Sequence, residues 1–267
     1  MRAMGPAHSV AVSDVLSGAG AGALALVALA DLGTTYAGWA PLASRPWLAT
    51  AAGAGLALAA IGSFGSILPR ARALAWRGAI GELRTSWAAR EAILALALAL
   101  VATAFVAGLA LDVRPRRMWA LAAGTMLLAW AVLACAARAR SVAVPFGDLL
   151  LAHASGAVIV EAVVRPEAGA TWVAAAGLGL LVAALVAAEE RRRQAGTAEA
   201  GRHASALRAA FFVAAIAVPA LWLVAGLGER APGIAAAACC LAGMAAGRWL
   251  DSTGGFIADP APDSRGA

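Results

Sequence analysis

Lysine is absent from this 267-residue chain, so its 21 basic residues are all arginine. Arginine-only basicity with this much alanine and glycine is the usage of GC-rich bacterial genomes, an association of composition rather than of physics. Histidine and cysteine are nearly as scarce, at three each. A transmembrane b-type haem takes two axial ligands, usually histidines from facing helices, and of His8, His153 and His203 only His153 falls inside an apolar run. No haem is expected. Cys135, Cys239 and Cys240 lie in apolar runs without CxxC spacing, and an iron-sulfur cluster needs about four thiolates. They read as small buried hydrophobes, and no metal site is expected. Charge is also sparse: 13% of residues are charged, against roughly 25% in an average soluble domain. No polar stretch approaches the roughly 50 residues of an ordinary domain, so a separate soluble catalytic domain is excluded and no nucleic-acid partner is expected.

What is present is hydrocarbon. The chain is 62% hydrophobic with a mean hydropathy of +0.80, in apolar runs long enough to cross a ~30 Å bilayer core as helices rising ~1.5 Å per residue. The pattern predicts an all-α, polytopic transmembrane helix bundle of about eight spans, near 11–30, 47–68, 87–111, 119–137, 147–164, 169–188, 207–227 and 232–250. Residues 1–250 form the membrane domain and 251–267 a polar, disordered tail. The first apolar segment resembles a signal peptide, but Asp14 interrupts it, and it reads as a retained span. Trp39, Trp47, Trp119, Trp172 and Trp249 sit near span ends as an interfacial belt, with Trp130 and Trp222 deeper. The small-residue runs at 18–23 and 243–247 read as helix-packing faces. Eight spans would place 15 arginines on the side of the termini and 6 on the other, which puts both termini in the cytoplasm. The charge run beginning Glu189-Glu190-Arg191 reads as a solvated loop.

Ionisable residues inside such a chain are the candidates for function. They are Asp14, Glu91, Asp148, His153 and Glu161. His153 and Glu161 project about 80° apart on one helix, and the plain reading of His153 is a hydrogen-bonded interior histidine. Glu91 has the most informative setting. Thr85 or Ser86 can cap the third helix, placing Glu91 in its first two turns, where the helix dipole favours negative charge. Trp87 lies four residues earlier on the same face, and Arg84 and Arg90 are close enough in sequence to tune the carboxylate. A proton acceptor at the membrane edge is physically available there; an interfacial carboxylate held by arginine is the plainer alternative.

Leu-Pro-Arg-Ala-Arg-Ala-Leu at 68–74, followed by Leu-Arg-Thr-Ser-Trp-Ala-Ala-Arg-Glu-Ala-Ile-Leu at 83–94, resembles the membrane-anchor subunit of the dimethyl sulfoxide reductase family. That family has a His-Leu-Gly-x-Pro segment and then Ser-Trp-Leu-Ser-Arg-Glu-Ile-Leu at the start of its third helix. Gly-Met-Ala-Ala-Gly-Arg-Trp-Leu at 243–250 is similar to its closing segment. The resemblance implies a haem-free anchor in a bacterial inner membrane that binds and oxidises a quinol, menaquinol or ubiquinol, in anaerobic respiration. Electrons would pass to an iron-sulfur partner subunit and on to a molybdopterin catalytic subunit. It assigns the proton-accepting role to Glu91 and quinol contacts to Ser86, Trp87, Arg90 and Glu91. The family histidine would fall near Gly65, where this chain reads Gly-Ser-Ile-Leu-Pro; His153, from another helix, is the candidate substitute. The family is generally drawn with both termini outside, opposite to the arginine count. Two other readings remain: a small polytopic transporter or carrier using Glu91 and Glu161 as proton sites, and an assembly protein without a ligand.

Overall fold

Proline marks where several helices start, since its missing N–H costs nothing in a first turn and its fixed φ suits one. Pro6, Pro115 and Pro145 each open a helix and Pro46 is the second residue of another. The computed structural model describes residues 6–71, 87–140, 145–168, 171–194, 211–225 and 229–254. Within them the chain forms α1 (Pro6–Tyr36), α2 (Arg45–Ala71), α3 (Trp87–Ala110), α4 (Pro115–Arg140), α5 (Pro145–Ala168) and α6 (Trp172–Gln194). A π-helical segment, Phe212–Ala217, then runs into α7 (Val218–Ala225), and α8 (Arg230–Gly254) follows. There is no strand among the described residues. The helices occupy the eight expected positions, and six of them are long and apolar enough to cross a membrane. The apolar parts of α6, Trp172–Ala183, and of the π segment with α7, Phe212–Ala225, are shorter.

The first span was expected to end at residue 30, but α1 continues to Tyr36. Thr35 donates its hydroxyl to the Asp31 carbonyl at 2.7 Å, so the last turns stay helical and carry Asp31 into the bundle. Gly38, with φ of +69°, then turns the chain toward α2. At the other end of the sequence α8 extends to Gly254, four residues into the segment expected to be tail.

Helix α1 is the central post. In its most apolar window 78% of residues are buried, against 28% in α3 and in α8, because α2, α4, α5 and α8 all pack around it. Small residues permit that crowding. A Cβ on Gly20 would run into the α2 backbone at Gly55 and Ala59, and one on Gly22 into the Ala152 carbonyl of α5. From the opposite side, a Cβ on Gly156 would strike the backbone of Gly22 and Ala23. Close backbone approach between small residues is how helices associate where lipid offers no hydrophobic gain. Replacing Gly156 with alanine should therefore destabilise the fold by about 1–3 kcal/mol through overpacking. The matched control is Gly179→Ala in α6, where nothing lies within 4 Å of the added carbon. Thermal unfolding in detergent should show a lower midpoint for the first variant alone; equal midpoints would refute this packing.

The π segment has a local cause in Pro219. Proline has no N–H for the Ala215 carbonyl and crowds it, and just before it the Val218 N–H reaches back five residues to the Val213 carbonyl. The freed Ala215 carbonyl accepts the Cys240 thiol of α8 at 3.5 Å. Cys240 is thus a buried residue with a structural bond, as expected of a small buried side chain, whereas Cys135 and Cys239 are only partly buried.

Side-chain contacts fix the helix directions. One end gathers the C-terminal ends of α1, α3, α5 and α7 with the N-terminal ends of α2, α4, α6 and α8. There Trp39 meets Trp172 edge to face at 5.5 Å, Arg45 lies 3.1 Å from Asp112, and Arg230 sits 4.7 Å over the Trp47 ring. The Ser44 N–H also donates to Glu167 at 3.2 Å. We call this the stapled end. The opposite end carries the start of α1 and the end of α8, where Asp14 and Arg248 line one small cleft with Ser17.

Candidate functional site

Helix α3 begins at Trp87, directly after Ser86, which lies outside the described residues, as do Thr85 and Arg84. Successive side chains at 87, 90 and 91 fall on one side of its first two turns, as i, i+3 and i+4 neighbours do. The Arg90 guanidinium sits 4.6 Å over the Trp87 ring, a cation–π contact that holds a half-buried arginine at the edge of an apolar helix. Trp87 is 43% exposed. Glu91 is half-buried, and both it and Arg90 take part in polar or electrostatic contacts. The charges of Glu91 and Arg90 both act on the Cys135 thiol of α4, which places the pair against that helix at the end opposite the staples. The arrangement is a carboxylate and an arginine beside a partly exposed tryptophan at the start of an apolar helix. It can hold a polar ring hydroxyl and receive its proton.

His153 sits elsewhere. The Trp130 indole N–H of α4 donates to His153 Nε2 at 3.0 Å, and Nδ1 lies 2.8 Å from the Leu149 carbonyl. These partners require the neutral tautomer with its proton on Nδ1. Cys135 and Trp130 are five residues apart on α4 and so project about 140° apart, which directs Glu91 and His153 to different faces of α4. A ligand taking His153 must displace Trp130, whose ring is 42% exposed.

Gly65, where the resemblance calls for histidine, is closed by its neighbour: a Cβ there would collide with Ser13 Oγ of α1. Ser17 and Ser63 lie hydroxyl to hydroxyl at 3.2 Å one turn away, so serines fill the α1–α2 seam at this level. Of the other candidates, Asp14 lines the cleft with Arg248, and the side chain of Asp148 lies outside the described residues.

Glu161 belongs to a second, fully enclosed network. It is 0% exposed and its partner Arg165, one turn later on α5, is 2% exposed. Arg165 Nε donates to Glu161 Oε1 at 3.0 Å, and its terminal nitrogens donate to the main-chain carbonyls of Trp222 and Leu223, each at 3.1 Å. The guanidinium also lies 4.5 Å over the Trp222 ring. Glu161 Oε2 accepts the Thr171 hydroxyl at 2.6 Å, and the Thr171 N–H points at Oε1 at 3.3 Å. Thr171 in turn caps α6 by accepting the Val173 N–H at 3.1 Å. One ion pair thus closes the C-terminal end of α7 and secures the start of α6. The sequence offered the i, i+4 spacing of Glu161 and Arg165, but it gave no sign of the carbonyl partners.

Asp31 went unrecognised as an intramembrane group because its span was drawn one residue short. It is 6% exposed.

Together the bundle and its buried ionisable groups define a multi-pass helical membrane protein. No family model, curated protein or solved structure matches the chain.

Proposed function

We propose that the chain is the membrane-anchor subunit of a molybdopterin oxidoreductase complex, with a quinol site at the start of α3. The observation that carries this reading is the cluster of Trp87, Arg90 and Glu91 against α4, in which a carboxylate, a cation and a partly exposed tryptophan gather at the start of an apolar helix. Oxidising a quinol releases two protons and two electrons. In this reading Glu91 accepts a hydroxyl proton, Arg90 stabilises the carboxylate that accepts it, and the partly exposed Trp87 packs against the ring. The electrons leave for an iron-sulfur cluster of the partner, since three scattered cysteines supply none here. The sequence motif at 83–94 supports the same assignment. His153 is a contact only if Trp130 yields. Transport through Glu161 is disfavoured, because three hydrogen-bonding contacts from Arg165 and Thr171 commit that carboxylate to holding α5, α6 and α7 together.

The test is composition of the native assembly. The tagged chain, solubilised gently from its own membrane, should bring down a cysteine-rich iron-sulfur subunit and a molybdenum protein, seen as molybdenum and iron by elemental analysis. Recovery as a metal-free monomer would overturn the anchor assignment.

A further inference from the structure

Six arginines stand at the stapled end, and the bundle itself employs three of them. Arg165 is enclosed with Glu161, Arg230 lies over the Trp47 ring, and Arg45 reaches Asp112 at 3.1 Å and the Met118 thioether at 3.0 Å. The other three, Arg114, Arg116 and Arg117, fall within one short stretch where α3 turns into α4, and all are exposed. Their side chains make no hydrogen bond, ion pair or ring contact among the described residues. The nearby carboxylates are engaged elsewhere: Asp112 lies against Arg45, Glu161 is closed by Arg165, and Glu167 accepts the Ser44 N–H.

The turn that carries them is held from both sides. Main-chain bonds close it, from the Val113 N–H to the Gly108 carbonyl at 3.0 Å and from the Arg117 N–H to the Arg114 carbonyl at 2.9 Å. Arg45 spans it, contacting Asp112 before the triplet and Met118 after it. Three guanidinium groups are thus presented from a braced backbone, which lowers the ordering cost of binding. Their apolar neighbours show which phase they face. Leu111 is 77% exposed and Trp119 56%, and the apolar spans on either side end at Ala110 and begin at Arg116. A tryptophan at a span end sits at headgroup depth, where arginine keeps its stem in hydrocarbon and its charge among phosphates. A soluble anion would answer the charge and leave Leu111 and Trp119 uncovered; a phospholipid answers both.

We propose that Arg114, Arg116 and Arg117 form a binding site for the headgroup of an anionic phospholipid, whose acyl chains lie along α3 and α4 beside Leu111 and Trp119. The guanidinium fork matches the oxygens of a phosphate two at a time. Three cations without a counter-charge in the protein favour a headgroup with more than one negative charge, so a two-phosphate lipid binds more tightly than a one-phosphate lipid. The site is at the end of the bundle opposite the Trp87 cluster and does not depend on whether that cluster binds a quinol.

The purified full chain, stripped of lipid in detergent, can be titrated with tetraoleoyl cardiolipin, dioleoylphosphatidylglycerol or dioleoylphosphatidylcholine, and the first bound lipid followed by native mass spectrometry. Cardiolipin should bind most tightly and phosphatidylcholine least. Each arginine at an anionic lipid surface contributes about fivefold in affinity, so the triple variant Arg114→Gln, Arg116→Gln, Arg117→Gln should hold cardiolipin about 100-fold more weakly. Its phosphatidylcholine binding should be unchanged. All three side chains are exposed, so the variant remains folded, as its elution volume will report. Millimolar inorganic phosphate should not displace the lipid from the wild type. Equal cardiolipin affinity in wild type and variant, or displacement by inorganic phosphate, overturns the proposal. So does a variant that keeps its lipid but loses protein subunits from the native assembly, since the arginines then face a protein.

Discussion

Arg165→Met should destabilise the folded chain by about 3–5 kcal/mol, the usual cost of removing one partner from a buried ion pair. Three things are lost together. Glu161 is left as an enclosed carboxylate, the Trp222 and Leu223 carbonyls lose their donors, and the Trp222 ring loses the cation stacked on it. Lysine at 165 should restore only part of this, because an ammonium is a point charge and cannot fork between a carboxylate and two carbonyls. Adding Glu161→Gln to Arg165→Met should recover much of the loss, since the orphaned charge is then gone; the double-mutant cycle gives the coupling. Denaturant unfolding followed by tryptophan fluorescence is the measurement. A midpoint for Arg165→Met equal to wild type would show that the network is dispensable.

On the anchor function proposed above, Glu91→Gln should lower quinol oxidation by the assembled complex by about 100-fold or more, within the range usual for losing a general base. Glutamine keeps the size and the hydrogen-bonding reach of the side chain but cannot take a proton. The effect should fall on turnover, with subunit stoichiometry unchanged, whereas Trp87→Ala should mainly weaken binding by removing the ring face. Wild-type turnover in Glu91→Gln, with unaltered inhibitor affinity, would remove Glu91 from the chemistry.

How far these sites could be read from sequence depends on what each one is made of. Helix positions were legible because apolar runs between arginine and proline breaks have only one economical arrangement in a bilayer. The exception was the end of α1: a lone aspartate after an apolar run reads as an interface, and nothing local signals that Thr34 and Thr35 continue the helix around it. Trp87, Arg90 and Glu91 were legible since their neighbourhood is one helical turn. The Trp130–His153 bond, the Ser13 hydroxyl against Gly65 and the carbonyls at 222 and 223 were not, because each joins residues far apart in the chain, and main-chain acceptors have no residue type to betray them.

The Glu161–Arg165 network also sets an order of assembly. Because glutamate and arginine stand one turn apart on the same helix, Arg165 has its counter-ion within α5 itself, whereas its carbonyl partners lie in α7, some 57 residues later by the bond to Trp222. Until α7 arrives, two guanidinium nitrogens lack their carbonyls; once it does, the last pair of helices is drawn onto a surface already formed by the earlier ones. Closure of the bundle is thus a late event, since the arginine of α5 is fully satisfied only when α7 supplies its carbonyls.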